Sequence, residues 1–133
     1  MIRFTVVTIT YNAAAVLQRT LDSVASQTYR GIEHLIIDGV STDETLAMAE
    51  AYRQQCDYPV IVSSEPDTGI YDAMNKGLAR ATGDYIVFMN AGDCFHASDT
   101  LRKIVRQIDE DHLPGVIYGD TDIVDDAGNY LDI

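Results

Sequence analysis

Four short runs of β-branched and aliphatic residues recur along the chain, each followed by a stretch with helical periodicity. This alternation restricts the fold more than any other feature of the sequence. The runs are Phe4 to Thr10, Ile32 to Ile37, Val60 to Ser63 and Tyr85 to Met89. Between the first two, Val16, Leu17, Leu21, Val24 and Ala25 form one apolar stripe on a helix expected over residues 13–28. Further helices are expected up to residue 55, over 70–81 and over 100–111, the last with Leu101, Ile104, Val105 and Ile108 on one face. Strands joined by crossover helices call for an α/β fold, a mostly parallel central sheet with helices on both faces. Short apolar runs bounded by turn residues suit the buried strands of such a sheet.

The punctuation between elements has local explanations. Asn12 is positioned as an N-cap for the first helix. Ser41 with Glu44 fits a capping box for the second. Gly83 follows the third helix, where glycine ends helices well. Beyond residue 111, Pro114-Gly115 turns the chain into an expected short strand over 116–118. A hairpin is expected to follow, with its turn at Asp126 to Asn129. No repeat, low-complexity segment or linker interrupts the sequence, so residues 1–133 read as a single domain. The chain stops where a strand is just beginning, and it is therefore expected to be truncated at the C-terminus.

Charge narrows the function. Nine basic residues against 21 acidic ones give a net charge of −12. That balance argues against sequence-independent nucleic-acid binding and against electrostatic docking on anionic lipid. An anionic small ligand stays open, because a metal ion can mediate its contact. Cys56 and Cys94 lie far apart in no paired motif, as expected of free thiols in a reducing cytosol. No stretch has the length of a membrane span, and the N-terminus lacks a signal-peptide layout. A cytoplasmic location is expected.

In parallel sheets, ligands bind outside the carboxyl ends of the strands. Here those ends carry Thr10-Tyr11-Asn12, Asp38, Glu65 with Asp67, and Asn90 with Asp93. Every strand delivers polar groups to one rim. A glycine-rich dinucleotide loop, a phosphate-binding P-loop and a nucleophile elbow are all missing. His34, His96 and His112 are scattered, and His34 alternates into the second strand as a packed residue would. What remains is a rim of carboxylate, amide and aromatic groups. Carboxylate and water suit a hard cation such as Mg2+ or Mn2+. Such a cation needs only one or two protein carboxylates when a diphosphate supplies further oxygens.

The segments Thr8 to Asn12, Thr20 to Tyr29, Ile36 to Thr45, Glu65 to Asp93 and Tyr118 to Asp120 together resemble the N-terminal, nucleotide-binding half of family 2 glycosyltransferases, which have the Rossmann-like GT-A sandwich fold. The segments are weak singly but specific in this order and spacing, and they span nearly the whole chain. The resemblance implies a nucleotide-diphosphate sugar donor, with a UDP-sugar favoured. Tyr11 would lie beside the nucleobase, with Thr10 and Asn12 shaping its pocket. Asp38 would accept from the imide N–H of the base, unless it only forms the turn before Gly39. Asp67 and Gly69 would line the base and ribose side, and Asn75 would face the site from the following helix. Asp72 and Lys76 share that helix start, and Lys76 is equally explained as solvated. Asp93 matches the metal ligand. Two positions depart from the family pattern: Gly92 stands where many members have an acid, and Met74 where many have an arginine.

The reaction the resemblance implies is inverting, metal-assisted transfer to a hydroxyl of a saccharide or lipid-linked saccharide. Its usual setting is bacterial cell-surface polysaccharide synthesis, at the inner face of the cytoplasmic membrane, where the full-length protein would associate peripherally. The catalytic base of the family lies beyond the metal motif. Neither Asp120 nor Asp122 matches it, and it is expected beyond Ile133. Two rival readings compete with this one. A nucleotidyltransferase would need a basic, glycine-rich loop after the first strand, which Thr10 to Val16 lacks. A non-catalytic nucleotide-sugar-binding module, or an inactive fragment of such an enzyme, would need no base.

Overall fold

A computed structural model describes residues 1–119, 121–125, 127 and 129. Its elements are β1 (Phe4–Thr10), α1 (Ala14–Ala25), β2 (Ile32–Asp38), α2 (Thr45–Gln55), β3 (Val60–Ser64), α3 (Ile70–Arg80), β4 (Tyr85–Phe88) and α4 (Thr100–Gln107). The four strands form one sheet in the order β3-β2-β1-β4, and all pairings are parallel. The expected α/β architecture is therefore present. From β1 the chain steps outward through β2 to β3, then crosses back to place β4 on the other side of β1. Right-handed crossovers put the helices of outward steps on one face and the helix of the return on the other.

The two cores follow that division. On one face Phe4, Val6, Ile32 and Ile36 meet Leu17, Leu21 and Val24 of α1, Ala49 and Tyr52 of α2 and Leu101 of α4. On the other, Val7, Leu35 and Ile37 meet Ala73 of α3. Neighbouring residues of β1 and β2 thus face opposite cores, which is why both strands are buried almost throughout. Each fully buried Leu, Ile or Val side chain contributes about 1.5–3 kcal/mol. The polar exceptions in β2 are satisfied. Glu33 accepts from Thr5 Oγ1, Thr82 Oγ1 and the Thr82 N–H. His34 is fully buried, 2.7 Å from both Thr8 Oγ1 and the Tyr52 hydroxyl, so it is the packed histidine the alternation predicted.

Several boundaries and caps differ from expectation. Helix α1 starts at Ala14 and ends at Ala25, and α4 ends at Gln107. Asn12 does not cap α1. It adopts φ 46, donates its N–H to Ser41 Oγ and accepts the Thr42 N–H on its side-chain oxygen. The amides of Ala13 and Ala14 are bound instead by Thr45 Oγ1 and Asp43, from the other loop. Ser41 forms no capping box either, because Asp38 draws its hydroxyl away and α2 begins only at Thr45. Residues 116–118 form no strand, although Val124 makes a single bridge and the Asp125 N–H reaches the Asn129 carbonyl. Asp120 and parts of the expected hairpin turn lie outside the described residues.

Candidate functional site

The sheet order reverses between β1 and β4, and such a switch point opens a crevice at the carboxyl ends of the strands. The loop after β1 and the loop after β2 are sewn together by the Asn12 bonds to Ser41 and Thr42. The third loop joins them at Gly39. A Cβ built on Gly39 would lie 2.8 Å from Asp67 Oδ2 and 3.6 Å from Tyr11 Cδ1. Only glycine leaves room for that approach, so the turn residue after Asp38 forms the floor on which Tyr11 and Asp67 meet. Tyr11 is 68% exposed, with its ring available to a flat ligand.

Asp38 sits beneath this floor, fully buried. Thr10 Oγ1 donates to its Oδ1 at 2.7 Å, and the Ser41 hydroxyl to the same oxygen at 2.5 Å. The Ser41 N–H and the Ser64 hydroxyl each donate to Oδ2 at 2.8 Å. A carboxylate offers about four acceptor positions, and the protein uses them all. No lone pair is left for an imide N–H, which corrects the contact expected of Asp38. Its carboxylate instead ties together the ends of β1, β2 and β3. Burial works to raise its pKa, but the hydrogen bonds from Ser41, Thr10 and Ser64 outweigh it and hold the carboxyl below the ordinary aspartate range. Thr10 is likewise fully buried and acts through Asp38. Ser64 carries no sequence signal beyond a hydroxyl at a strand end.

The loop over residues 65–69 is closed from α3. Lys76 Nζ donates to the Pro66 carbonyl at 2.6 Å and lies 3.5 Å from both Glu65 and Asp72. Asp72 accepts the Thr68 N–H, so Asp72 and Lys76 serve the loop rather than the crevice. Asp67 Oδ1 accepts the Gly69 N–H at 3.1 Å. Gly69 opens α3 with φ 131, and nothing lies within 4 Å of where its side chain would be. Asn75 is exposed on α3, and its side chain makes no hydrogen bond among the described residues.

Across the switch point stands Asp93. Its N–H donates to the Asn90 carbonyl at 2.9 Å and its Oδ2 accepts the Asn90 N–H at 3.1 Å, a tight turn closed from both sides. Oδ1 is bound to nothing among the described residues. Gly92 has φ 103, a conformation that strains any side-chain-bearing residue, so in this backbone the departure at position 92 is a glycine by geometry. Asn90 Oδ1 is buried without a hydrogen-bond partner among the described residues, a costly arrangement for a group with nothing to bind. No cluster of three or more His, Cys, Asp or Glu residues that could hold a metal by itself occurs among the described residues. The loop thus presents hard oxygen donors but only part of a coordination shell, which fits a cation shared with phosphate oxygens.

A sequence model of the family described as glycosyl transferase family 2 matches residues 5–130. A PGL/p-HBAD biosynthesis glycosyltransferase of Mycobacterium bovis (strain BCG / Pasteur 1173P2) is 39% identical over 117 residues, which cover 88% of this chain and 46% of the relative. Among solved structures, S. aureus TarS 1-349 in complex with UDP-GlcNAc superposes with a TM-score of 0.72 at 28% identity, over 78% of this chain and 30% of that one. The mannosyltransferase PcManGT from Pyrobaculum calidifontis, in complex with GDP-Man and Mn2+, also gives a TM-score of 0.72, at 31% identity over 79% of this chain and 32% of that one. The chain therefore spans less than half the length of the relatives it matches, and its fold is that of GT-A glycosyltransferases.

Proposed function

The chain belongs to glycosyl transferase family 2, and from that premise we propose that its rim binds the nucleotide-diphosphate half of a sugar donor, a UDP-sugar by preference, for transfer of the sugar to an acceptor hydroxyl. The observation that carries the reading is the meeting of Tyr11, Gly39 and Asp67 on one side of the switch point with the free Asp93 oxygen on the other. An exposed ring, a glycine floor and a carboxylate suit a planar base with an imide donor. Asp67 Oδ2, not Asp38, is the acceptor for that donor, and Asn12 and Gly69 shape the edge of the pocket.

Asp93, with the Asn90 side-chain oxygen, would hold Mg2+ or Mn2+ jointly with the diphosphate. Held there, the ion would supply Lewis-acid stabilisation to the departing nucleoside diphosphate. The residues themselves orient the donor: Asp93 fixes the diphosphate side, and the Tyr11–Asp67 floor fixes the nucleoside. Attack on the anomeric carbon from the face opposite the leaving group gives inversion. The base that takes the acceptor proton has no assigned residue in this chain. The neighbours named above carry UDP-GlcNAc and GDP-Man, which supports a nucleotide-sugar donor.

Calorimetric titration with UDP, with and without Mn2+, tests this. Nucleotide binding that strengthens with metal is expected. Its absence at millimolar ligand sinks the reading. Asp93→Ala should abolish the metal dependence and leave the far-ultraviolet circular dichroism unchanged; an undiminished metal response removes Asp93 from the site. Release or transfer of sugar from a panel of nucleotide sugars then separates an enzyme from a non-catalytic donor-binding module.

A further inference from the structure

Helix α1 and the turn after it carry a column of polar side chains that the donor site does not use. Thr20 and Ser23 share one helical face, and Gln27, two residues past the helix end, continues the column. Thr20 is fully buried and Gln27 nearly so, which demands that their polar atoms be bonded. All three bind the backbone of the segment that follows β4. Thr20 Oγ1 accepts the Gly92 N–H at 2.8 Å and donates its proton to the Asp93 carbonyl at 2.7 Å. Ser23 Oγ accepts the Phe95 N–H at 2.7 Å. The Gln27 side-chain amide donates to the Ala97 carbonyl at 2.7 Å and accepts the Leu101 N–H at 3.1 Å. This column thus holds a backbone that has no strand partner over this stretch.

The rungs are not equivalent. Ser23 and Gln27 hold residues outside the Asn90–Asp93 turn. Thr20 grips the peptide before Gly92 and the peptide after Asp93, so it brackets these two residues with one hydroxyl acting both as acceptor and as donor. A third bond, from the Asp93 N–H to Asn90, completes the hold on that residue's backbone. With Oδ2 held by the Asn90 N–H, the aim of the remaining carboxylate oxygen follows from how this backbone is placed. We propose that Thr20 is a positioning residue for Asp93, setting the aim of the carboxylate proposed to share a divalent cation with the donor diphosphate. This inference rests on the donor-binding reading. The warrant is that groups which orient a metal-binding side chain matter nearly as much as the side chain, and their loss typically costs about 10–100-fold in metal affinity.

The test is UDP titration with and without Mn2+ on the wild type, Thr20→Val, Thr20→Ser and Ser23→Ala. Valine keeps the shape of threonine and removes both bonds. It should lower the Mn2+-dependent gain in UDP affinity by about tenfold or more and leave metal-free UDP binding unchanged. Serine restores the hydroxyl and should return most of the gain. Ser23→Ala removes a rung of the same loop that touches no site residue, and should keep the full gain. The inference alone is overturned if Thr20→Val keeps the wild-type metal response, or if Ser23→Ala loses as much. A wild type that binds UDP without any metal response overturns the donor reading and this inference together. Should Thr20→Val not fold, amide hydrogen exchange on the wild type decides the matter. Mn2+ with UDP should slow exchange of the Gly92 amide more than that of Phe95, and equal slowing of the two overturns the proposal.

Discussion

His34 shows how far a single side chain can govern the behaviour of this fold in acid. Its ring has Thr8 on one side and the Tyr52 hydroxyl on the other, and Tyr52 in turn meets the Tyr58 hydroxyl. Burial, with no carboxylate in the chain of contacts, depresses its pKa from 6.5 to about 3. The unfolded chain therefore binds a proton at this residue as pH falls through 6.5, while the folded protein refuses it until about 3. Stability from His34 is thus complete above 6.5 and declines on acidification, by up to about 1.4 kcal/mol per pH unit. Urea unfolding measured between about pH 6.5 and 5.5, where ordinary carboxylates stay largely charged, should show this slope. In His34→Gln the slope should flatten. An identical slope in both proteins would mean that the ring is reached by solvent protons in the folded state. The packing of His34 was legible from strand alternation. The saturation of Asp38 was not, because Ser64 lies 26 residues further along the chain and only the sheet brings it within 2.8 Å.

At the scale of elements, the starts of α1 and α2 form one unit rather than two separately capped helices. Thr45, the first residue of α2, is fully buried and its hydroxyl accepts the Ala13 N–H at the start of α1 at 2.9 Å. The same hydroxyl donates to Asp43, whose other oxygen accepts the Ala14 N–H. Local sequence rules assign a cap to the residue just before each helix, which is why Asn12 and Ser41 were expected in those roles. Tertiary partners outcompete them here: Asp38 takes the Ser41 hydroxyl, and the loop after β2 takes Asn12. Hydrophobic period, by contrast, is set within each element, so all four strands and all four helices were legible from it to within a few residues. Thr45→Val deletes the shared hydroxyl at nearly constant volume and leaves the Ala13 amide unpaired. It should cost about 1–3 kcal/mol in unfolding free energy, measured by urea denaturation. Because Asn12 and Tyr11 belong to the loop this bond anchors, the variant should also weaken UDP binding equally with and without Mn2+, unlike Thr20→Val. A loss confined to the metal-dependent part would place the coupling elsewhere.

For the whole molecule, the decisive quantity is the net charge of −12. The rim repeats that imbalance, since Asp67 and Asp93 face the crevice while Lys76 and Arg80 are turned towards Glu65. A nucleoside diphosphate approaching without metal meets a field of its own sign. Surface fields are screened over about 10 Å at 0.1 M salt and reach roughly three times further at tenfold lower ionic strength. Added NaCl should therefore weaken the repulsion and strengthen metal-free UDP binding. With a fixed concentration of Mn2+ the sign reverses. The protein's field then gathers the cation at the rim, and salt screens that attraction, so the affinity for UDP should fall as NaCl rises. Titrations between about 20 and 200 mM NaCl, a range over which the screening length shortens about threefold, should give slopes of opposite sign in the two series. A site that held the diphosphate with basic side chains would lose affinity with salt in both. Two falling slopes would therefore remove the shared cation from the donor site, even if the nucleotide still bound at the Tyr11–Asp67 floor.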